Sequence, residues 1–119
     1  MERLKRRTEF KAVAAGKRVS RSGFVLQALR AADGPADRPA RFGFTVTKKI
    51  GNAVVHNRIR RRLREAVRAA GPHAQPATDY VLVGRSAALT LQFRQLVTDL
   101  EGGFAALARD SKRSNESGR

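Results

Sequence analysis

The residues best suited to do chemistry are basic ones, and they are concentrated between Lys48 and Arg68. Eight of these 21 residues are lysine or arginine, and Glu65 is the only acidic residue among them. The planar guanidinium group of arginine holds phosphate oxygens through two parallel hydrogen bonds. A run of one sign at this density is typical of a nucleic-acid site rather than of an ordinary solvated helix face.

The rest of the chain offers little catalytic chemistry. It has no cysteine and only two histidines, His56 and His73, and neither stands in a carboxylate pattern typical of a metal site. The aspartates are scattered along the chain, so no paired carboxylates predict a protein nuclease. We therefore expect no catalytic residue, no metal ligand and no cofactor bound by the protein itself.

The overall charge indicates the same kind of partner. The chain has 119 residues, with 25 lysines and arginines against 10 acidic residues, and its formal net charge is +15. Such an excess causes self-repulsion in the compact state, which a bound polyanion relieves. Nucleic acid is the expected partner, and an anionic membrane surface is the weaker alternative.

The sequence also bears on localisation. No apolar run reaches the roughly 20 residues that span a bilayer. The charged segment Met1 to Arg7 is not followed by an apolar stretch, so it does not resemble a signal peptide. Together with the absence of cysteine, these features favour a cytoplasmic protein with no membrane partner.

The elements that must position the arginines follow from apolar spacing. The length suits one domain, which we place at residues 1–110, with a disordered polar tail at 111–119. The predicted elements are a helix Glu9–Ala15 capped by Thr8, strands Phe24–Leu29 and Arg41–Thr47, a short strand Ala53–Val55, a helix Arg58–Ala70 capped by Asn57, a strand Tyr80–Val83 and a helix Leu91–Ala108 capped by Thr90. This order, αβββαβα, predicts a two-layer α+β sandwich with a small mixed four-stranded sheet. We expect the first two strands to form a hairpin and the Tyr80 strand to be central.

The predicted helix Arg58–Ala70 carries most of the charge. Its apolar residues recur at steps of three and four and share one face: Ile59, Leu63, Ala66, Val67 and Ala70. Arg61, Arg64 and Arg68 project nearly opposite that face, while Arg58, Arg60 and Arg62 lie on its flanks. The helix is therefore expected to be anchored by its apolar side and to present guanidinium groups over the rest.

The segment from Lys48 to Glu65 closely resembles the signature of the bacterial ribonuclease P protein family. That signature combines a lysine pair, a Gly-Asn turn, an Arg-Asn-Arg triplet and basic residues along a helix. Here it reads Lys48-Lys49, Gly51-Asn52, His56-Asn57-Arg58 and then arginines at 60–62 and 64. The order of the other elements matches the family over about residues 4 to 109. The resemblance implies a left-handed βαβ crossover into the Tyr80 strand, where general rules favour a right-handed one.

The resemblance also implies a function. The protein is expected to be the accessory subunit of ribonuclease P, which removes the 5′ leader from precursor tRNA, while the RNA subunit carries the active site and its Mg²⁺. The expected partners are that RNA and the precursor tRNA, without an obligate protein partner. The residues implied to bind the RNA subunit are Lys48, Lys49, Asn52, Asn57, Arg58, Arg60, Arg61, Arg64 and Arg68. Those implied to line or support a leader groove between the first helix and the sheet are Phe10, Val13, Phe24, Gln27 and Phe42.

Some features depart from the family pattern, and two alternatives stay open. His56 stands where the triplet has its first arginine, and Ala14 and Gln27 stand where the family often has aromatic residues. Base stacking on an aromatic ring contributes roughly 1–3 kcal/mol. A structural RNA-binding protein, such as a small basic ribosomal protein, fits the composition equally well, but the Lys48 to Arg64 signature argues against it. A self-sufficient protein nuclease would need catalytic residues that the sequence does not offer.

Overall fold

The computed structural model describes residues 2–31 and 34–117, with side chains up to residue 109. Its elements are β1 (Glu2–Arg3), α1 (Arg7–Ala14), β2 (Lys17–Ser20), β3 (Phe24–Arg30), β4 (Arg41–Val46), α2 (Ala53–Ala70), β5 (Thr78–Gly84) and α3 (Phe93–Ser117). Short 3₁₀ turns follow α2 at Gly71–His73 and β5 at Ser86–Leu89. The predicted α+β class is confirmed, although the described part of the chain has five strands rather than four.

The strands form one mixed sheet in the order β1-β4-β5-β3-β2. β5 is central, as its continuous apolar run predicted, and it pairs in parallel with β4 and antiparallel with β3. The predicted hairpin between the Phe24 and Arg41 strands is therefore wrong, because β5 lies between them. The hairpin partner of β3 is instead β2. β2 was not predicted because Val19 is its only apolar residue, which leaves too little alternation to detect.

α2 and α3 cover one face of the sheet and enclose the main core. The ring of Tyr80 stacks on Phe42, with centroids 5.4 Å apart, and meets Phe104 edge-on at 4.9 Å. The predicted apolar face of α2 is confirmed, since all five of its residues are buried. α2 approaches closely because β5 ends in glycine: a Cβ atom at Gly84 would lie 2.5 Å from Ile59 Cγ2. α2 is thus held firmly by its apolar side.

α1 packs alone on the opposite face of the sheet. It buries Val13 in a smaller cluster with Leu4 and Val81, and Phe10 packs against that cluster. The two-layer arrangement therefore describes only the α2–α3 side, because α1 adds a partial third layer. The sheet consequently has one fully covered face and one partly open face.

Several helix boundaries differ from those predicted. α2 begins at Ala53, where the Asn52 side chain accepts a hydrogen bond from the Val55 N–H at 3.1 Å. The predicted strand Ala53–Val55 and the predicted cap at Asn57 are therefore wrong. At the start of α1, the carboxylate of Glu9, rather than the Thr8 hydroxyl, accepts the backbone N–H groups of the preceding residues.

α3 begins at Phe93 rather than Leu91, because Thr90 ends the preceding 3₁₀ turn instead of capping the helix. Its backbone is helical through Ser117 and so enters the segment 111–119 that was predicted to be a disordered tail. The side chains from residue 110 onward and residues 118–119 lie outside the described residues, so the disorder of the tail stays a prediction. None of the helices in the described ranges has the length and apolar character needed to cross a membrane.

β4 and β5 are parallel neighbours that α2 connects. This is the βαβ unit that the family resemblance implied. Its left-handed sense stays a prediction.

Candidate RNA-binding surfaces

α2 presents a stripe of polar side chains away from the core. Asn57, Arg60, Arg61, Arg64 and Arg68 recur at steps of three and four, so they project from one side of the helix; we call these five residues the arginine surface. Three of them are exposed, and Arg60 and Arg64 are half-buried. An exposed ion pair joins Arg61 Nε to Glu65 at 3.6 Å and, at that exposure, contributes little stability. The surface thus keeps most of its positive charge.

Arg58 and Arg62 lie on the other side of α2, towards α3. Arg62 donates hydrogen bonds to the backbone carbonyls of Leu89 at 3.0 Å and Leu91 at 2.6 Å. It therefore holds α2 against the turn that precedes α3, a structural role that helical spacing alone could not reveal. Arg58 is exposed one turn earlier on the same side, and its contact with RNA stays a prediction.

The loop between β4 and α2 carries the lysine pair. Lys48 and Lys49 are both exposed. The side-chain oxygen of Asn52 accepts the Val55 N–H as the helix cap, which leaves its amide N–H groups available to RNA. The ring Nε2 of His56 contacts the Ile50 carbonyl oxygen. Because a carbonyl only accepts hydrogen bonds, this nitrogen must be the donor, and His56 ties the lysine loop to the first turn of α2.

Arg64 has the most unusual surroundings on the arginine surface. Its guanidinium carbon lies 5.9 Å from the centre of the Phe44 ring, a cation–π contact. Its Nε atom is buried without a hydrogen-bond partner among the described residues. Burial and the charges of Arg3, Arg68 and Arg60 lower the pKa of Arg64 from its ordinary value. Within residues 2–31 and 34–109, no carboxylate forms an ion pair with Arg64, so its positive charge is not locally compensated.

A second surface lies on the α1 side of the sheet. Residues paired across neighbouring strands share a face, so Ser20, Val25, Val83 and Thr45 form a row across β2, β3, β5 and β4. All four are exposed or half-buried. We call this row, together with Arg18 and Gln27 beside it, the open sheet face. It combines apolar, amide and cationic groups beside α1.

Three of the predicted groove residues lie at or beneath this second surface. Phe10 is half-buried on α1, and its ring covers the backbone of Gly43, where a Cβ atom would lie only 2.5 Å away. Gln27 is half-buried on the sheet, and Val13 is buried beneath α1 with 1% exposure. Val13 can therefore support the groove but not touch a ligand.

Phe24 and Phe42 point to the opposite face of the sheet, so they do not line this second surface. They are 0% and 5% exposed and belong to the core under α2 and α3. Successive side chains of a strand point to opposite faces, so both rings point away from α1. Arg18 was missed, because it faces the groove only as part of β2 and opposite Gln27.

A network of ion pairs fixes the start of α1 against the sheet. Arg41 binds both carboxylate oxygens of Asp79, at 2.9 and 2.8 Å, and also binds Glu9 at 2.9 Å. Arg38 contacts Asp79 at 3.0 Å. Burial raises the pKa of Asp79, but hydrogen bonds and charges from Arg41 and Arg38 outweigh it and hold that pKa below its usual value. The pKa of Glu9 is lowered mainly by the backbone N–H groups of Arg6 and Lys5.

Within the described ranges, no three His, Asp or Glu side chains come together in a group that could hold a metal ion. The fold and its two surfaces define a small basic α+β protein that presents a cationic helix on one side and a partly open sheet face on the other.

Comparison with known proteins identifies the family. The family model for ribonuclease P matches residues 1–108. The chain is similar to the ribonuclease P protein component of Gluconacetobacter diazotrophicus, with 54% identity over 82% of this chain and 84% of the relative. It is also similar to that of Brucella melitensis, with 48% identity over 87% of this chain and 78% of the relative. The chain belongs to the ribonuclease P protein family, as its resemblance predicted, and its function is that of an accessory subunit of an endoribonuclease in tRNA 5′ processing.

Solved structures agree with this assignment. A Staphylococcus aureus RNase P protein mutant described as defective in mRNA degradation superposes with a TM-score of 0.71 and 30% identity, covering 90% of this chain and 87% of that one. The RNase P protein from Thermotoga maritima has a TM-score of 0.69 over 84% of this chain and 92% of that one. At 24% identity, the Thermotoga protein supports the fold alone.

Proposed function

We propose that this protein binds the ribonuclease P RNA through the arginine surface and the lysine loop, and holds the 5′ leader of precursor tRNA against the open sheet face. The RNA subunit would carry out cleavage with Mg²⁺, and the protein would strengthen assembly and substrate binding in the cytoplasm. The observation that carries this proposal is the arginine surface, a stripe of cationic groups that has almost no compensating acid in a chain of this family.

The arginine surface suits a folded RNA because the helix that carries it is rigid. The buried side of α2 fixes its orientation, so the guanidinium groups are presented without folding on binding. Arginine forks match phosphate oxygens in two bonds, and each neutralised phosphate releases condensed counterions. Binding should therefore be tight at low salt and steeply salt-dependent.

The open sheet face suits an extended single strand. Gln27 can hydrogen-bond to a base edge and Arg18 can meet a phosphate, while the half-buried ring of Phe10 offers an aromatic edge beside α1. Single-stranded nucleic acid is commonly held by such a combination of cationic and planar groups. Since Phe24 and Phe42 do not contribute, Phe10 is the only aromatic residue among the predicted leader-binding residues that lies on this face.

Reconstitution of the holoenzyme tests whether the protein binds the ribonuclease P RNA and assists cleavage. The protein is mixed with a bacterial ribonuclease P RNA and precursor tRNA at low Mg²⁺, and 5′ cleavage is measured. We expect strong stimulation by the wild-type protein and no cleavage by protein alone.

Arg61→Ala should weaken RNA affinity and flatten its salt dependence. Arg94→Ala, which removes an exposed arginine from α3, is the matched control. An equal effect of both substitutions would contradict a specific arginine surface.

The leader assignment needs a separate measurement. Affinity of the holoenzyme for precursor tRNA is compared with its affinity for mature tRNA. Gln27→Ala and Arg18→Ala should reduce the preference for the precursor and leave mature tRNA binding unchanged. Gln95→Ala, which changes an exposed glutamine of α3, is the control for Gln27→Ala. An unchanged preference in both test variants would place the leader elsewhere.

A further inference from the structure

The amino-terminal strand β1 brings a basic side chain to the edge of α2. Glu2 and Arg3 pair in parallel with Arg41 and Phe42 of β4. Leu4 continues this pairing by donating its N–H to the Phe42 carbonyl at 2.9 Å, and its side chain is buried on the α1 side. Arg3 is paired with Phe42, so its side chain projects from the α2 face of the sheet.

Arg64 lies at the same edge of the sheet. Its guanidinium group rests over the ring of Phe44, the next residue of β4 that points to this face. Burial and then the charges of Arg3, Arg68 and Arg60 lower the pKa of Arg64 from its ordinary value. Phe42 and Phe44 are neighbours on this face of β4, so the pairing of Arg3 with Phe42 and the contact of Arg64 with Phe44 bring the two arginines to one edge of the sheet. In the sequence, 60 residues lie between them.

Neither cation has a compensating acid. Within residues 2–31 and 34–109, no carboxylate forms an ion pair with Arg3 or Arg64. Arg64 Nε is also without an acceptor. Two like charges at one edge of the sheet, one of them with a buried donor that has no acceptor among the described residues, are unfavourable in the free protein. An anion placed between the two guanidinium groups would reduce the repulsion and accept hydrogen bonds from their accessible N–H groups.

We propose that Arg3 and Arg64, with the Phe44 ring beneath Arg64, form an anion site that holds one phosphodiester group of the RNA subunit. This site rests on the proposed function and extends the arginine surface across the sheet edge to the amino-terminal strand. One phosphate with two non-bridging oxygens accepts hydrogen bonds from both guanidinium groups. β1 thereby becomes part of the assembly surface, which the sequence signature between Lys48 and Arg68 does not include.

The main test measures affinity for a bacterial ribonuclease P RNA, without substrate, for Arg3→Ala, Arg64→Ala and the double variant. Each single substitution should weaken binding about tenfold, because it removes a charge-assisted hydrogen bond. If both arginines hold one phosphate, the double variant should bind much more tightly than two independent losses would give. Arg3→Ala should also make the salt slope shallower by roughly one unit.

The matched control is Arg7→Ala, an exposed arginine of the same amino-terminal segment that lies on α1. It should retain the wild-type affinity for the RNA subunit. If Arg3→Ala binds like wild type, or if the double variant loses affinity additively, the shared site is refuted. If the wild-type protein itself does not bind the RNA, the proposed function fails instead, so the two failures are distinguishable.

Thermal unfolding of the free protein provides a second readout. A purely structural role predicts that Arg3→Ala lowers the melting temperature. The anion site predicts an unchanged or raised melting temperature in low salt, because a repulsive charge is removed. Inorganic phosphate should raise the melting temperature of the wild-type protein more than that of Arg3→Ala. A lowered melting temperature together with equal phosphate effects would overturn the proposal.

Discussion

Replacing Asp79 with asparagine tests whether the ion-pair network holds α1 on the sheet. The Asp79 side chain is only 12% exposed and accepts three hydrogen bonds from Arg38 and Arg41. Asparagine keeps the shape and one acceptor oxygen, but it removes the charge and points an N–H₂ group at guanidinium donors. The substitution therefore removes the charge and the hydrogen bonds of one oxygen while it keeps the shape of the side chain.

The magnitude follows from the number of bonds and their exposure. A hydrogen bond between charged groups contributes about 1.5–3 kcal/mol, and breaking a fully buried ion pair costs about 3–5 kcal/mol. Arg41 is partly solvated, with 31% of its side chain exposed, and Glu9 remains as its second partner. We expect Asp79→Asn to reduce the free energy of unfolding by about 2–3 kcal/mol at pH 7.

The lowered pKa of Asp79 determines how its stabilising effect changes with pH. Because the pKa of Asp79 is lower in the folded protein than its ordinary value of 3.8, its charge stabilises the fold at every pH above that value. The contribution is lost as pH falls through the lowered pKa, since the folded carboxylate then becomes protonated. The difference between wild type and Asp79→Asn should therefore be full at pH 7 and should shrink as the pH falls below 3.8.

Urea unfolding followed by circular dichroism measures both quantities. Asp99→Asn is the control, because the hydrogen bond that the Asp99 carboxylate accepts within the described part of the chain comes from the Gln95 amide, at 2.7 Å on the surface. It should change the free energy of unfolding by less than about 0.5 kcal/mol, both at pH 7 and below pH 3.8. An Asp79→Asn effect that stays constant down to the lowest accessible pH would show that the carboxylate charge is not responsible.

Three further substitutions separate structural from binding roles. Arg62→Ala should lower unfolding free energy by about 1–3 kcal/mol in urea titrations, yet reduce RNA affinity less than Arg61→Ala; the reverse order would refute the anchoring role. Phe24→Leu should lower the free energy of unfolding by roughly 1–2 kcal/mol and leave the precursor preference of the holoenzyme intact. A lost preference would show that Phe24 contributes to leader binding. Gly43→Ala should displace the Phe10 ring, so stability and precursor preference should fall together; a change in neither would refute the close packing seen there.

The helix-forming segments were predictable because their apolar residues repeat with a helical period. α2 shows this best: Ile59 and Leu63 are fully buried, as their spacing required. Its first turn was not predicted, because a pair of β-branched valines, Val54 and Val55, reads locally as a strand. A local contact decided otherwise, because the Asn52 side chain caps the helix and accepts the Val55 N–H.

Strand pairing was less predictable, because it depends on contacts between distant segments. β3 and β4 are consecutive and apolar, which favours a hairpin by proximity. β5 instead lies between them and is buried over nearly its whole length. The incorrect hairpin prediction had no direct effect on which residues were assigned to the groove. Because β2 was not predicted, however, Arg18 was left out of that assignment. The two phenylalanines were misplaced because aromatic character alone does not reveal which sheet face a strand residue occupies.

The residues of β4 connect the two surfaces by simple alternation. Phe42 and Phe44 face α2, and Phe44 supports Arg64. Gly43 and Thr45 face the α1 side, where the Phe10 ring packs against Gly43. A strand of a packed sheet cannot rotate without moving both sets of side chains. Under the proposed function, an RNA subunit bound to α2 and a leader held beside α1 would therefore keep a fixed separation that spans the sheet and the α2 layer. On this view the protein acts as a rigid spacer, and its contribution to cleavage lies in where it places the leader rather than in any reacting group.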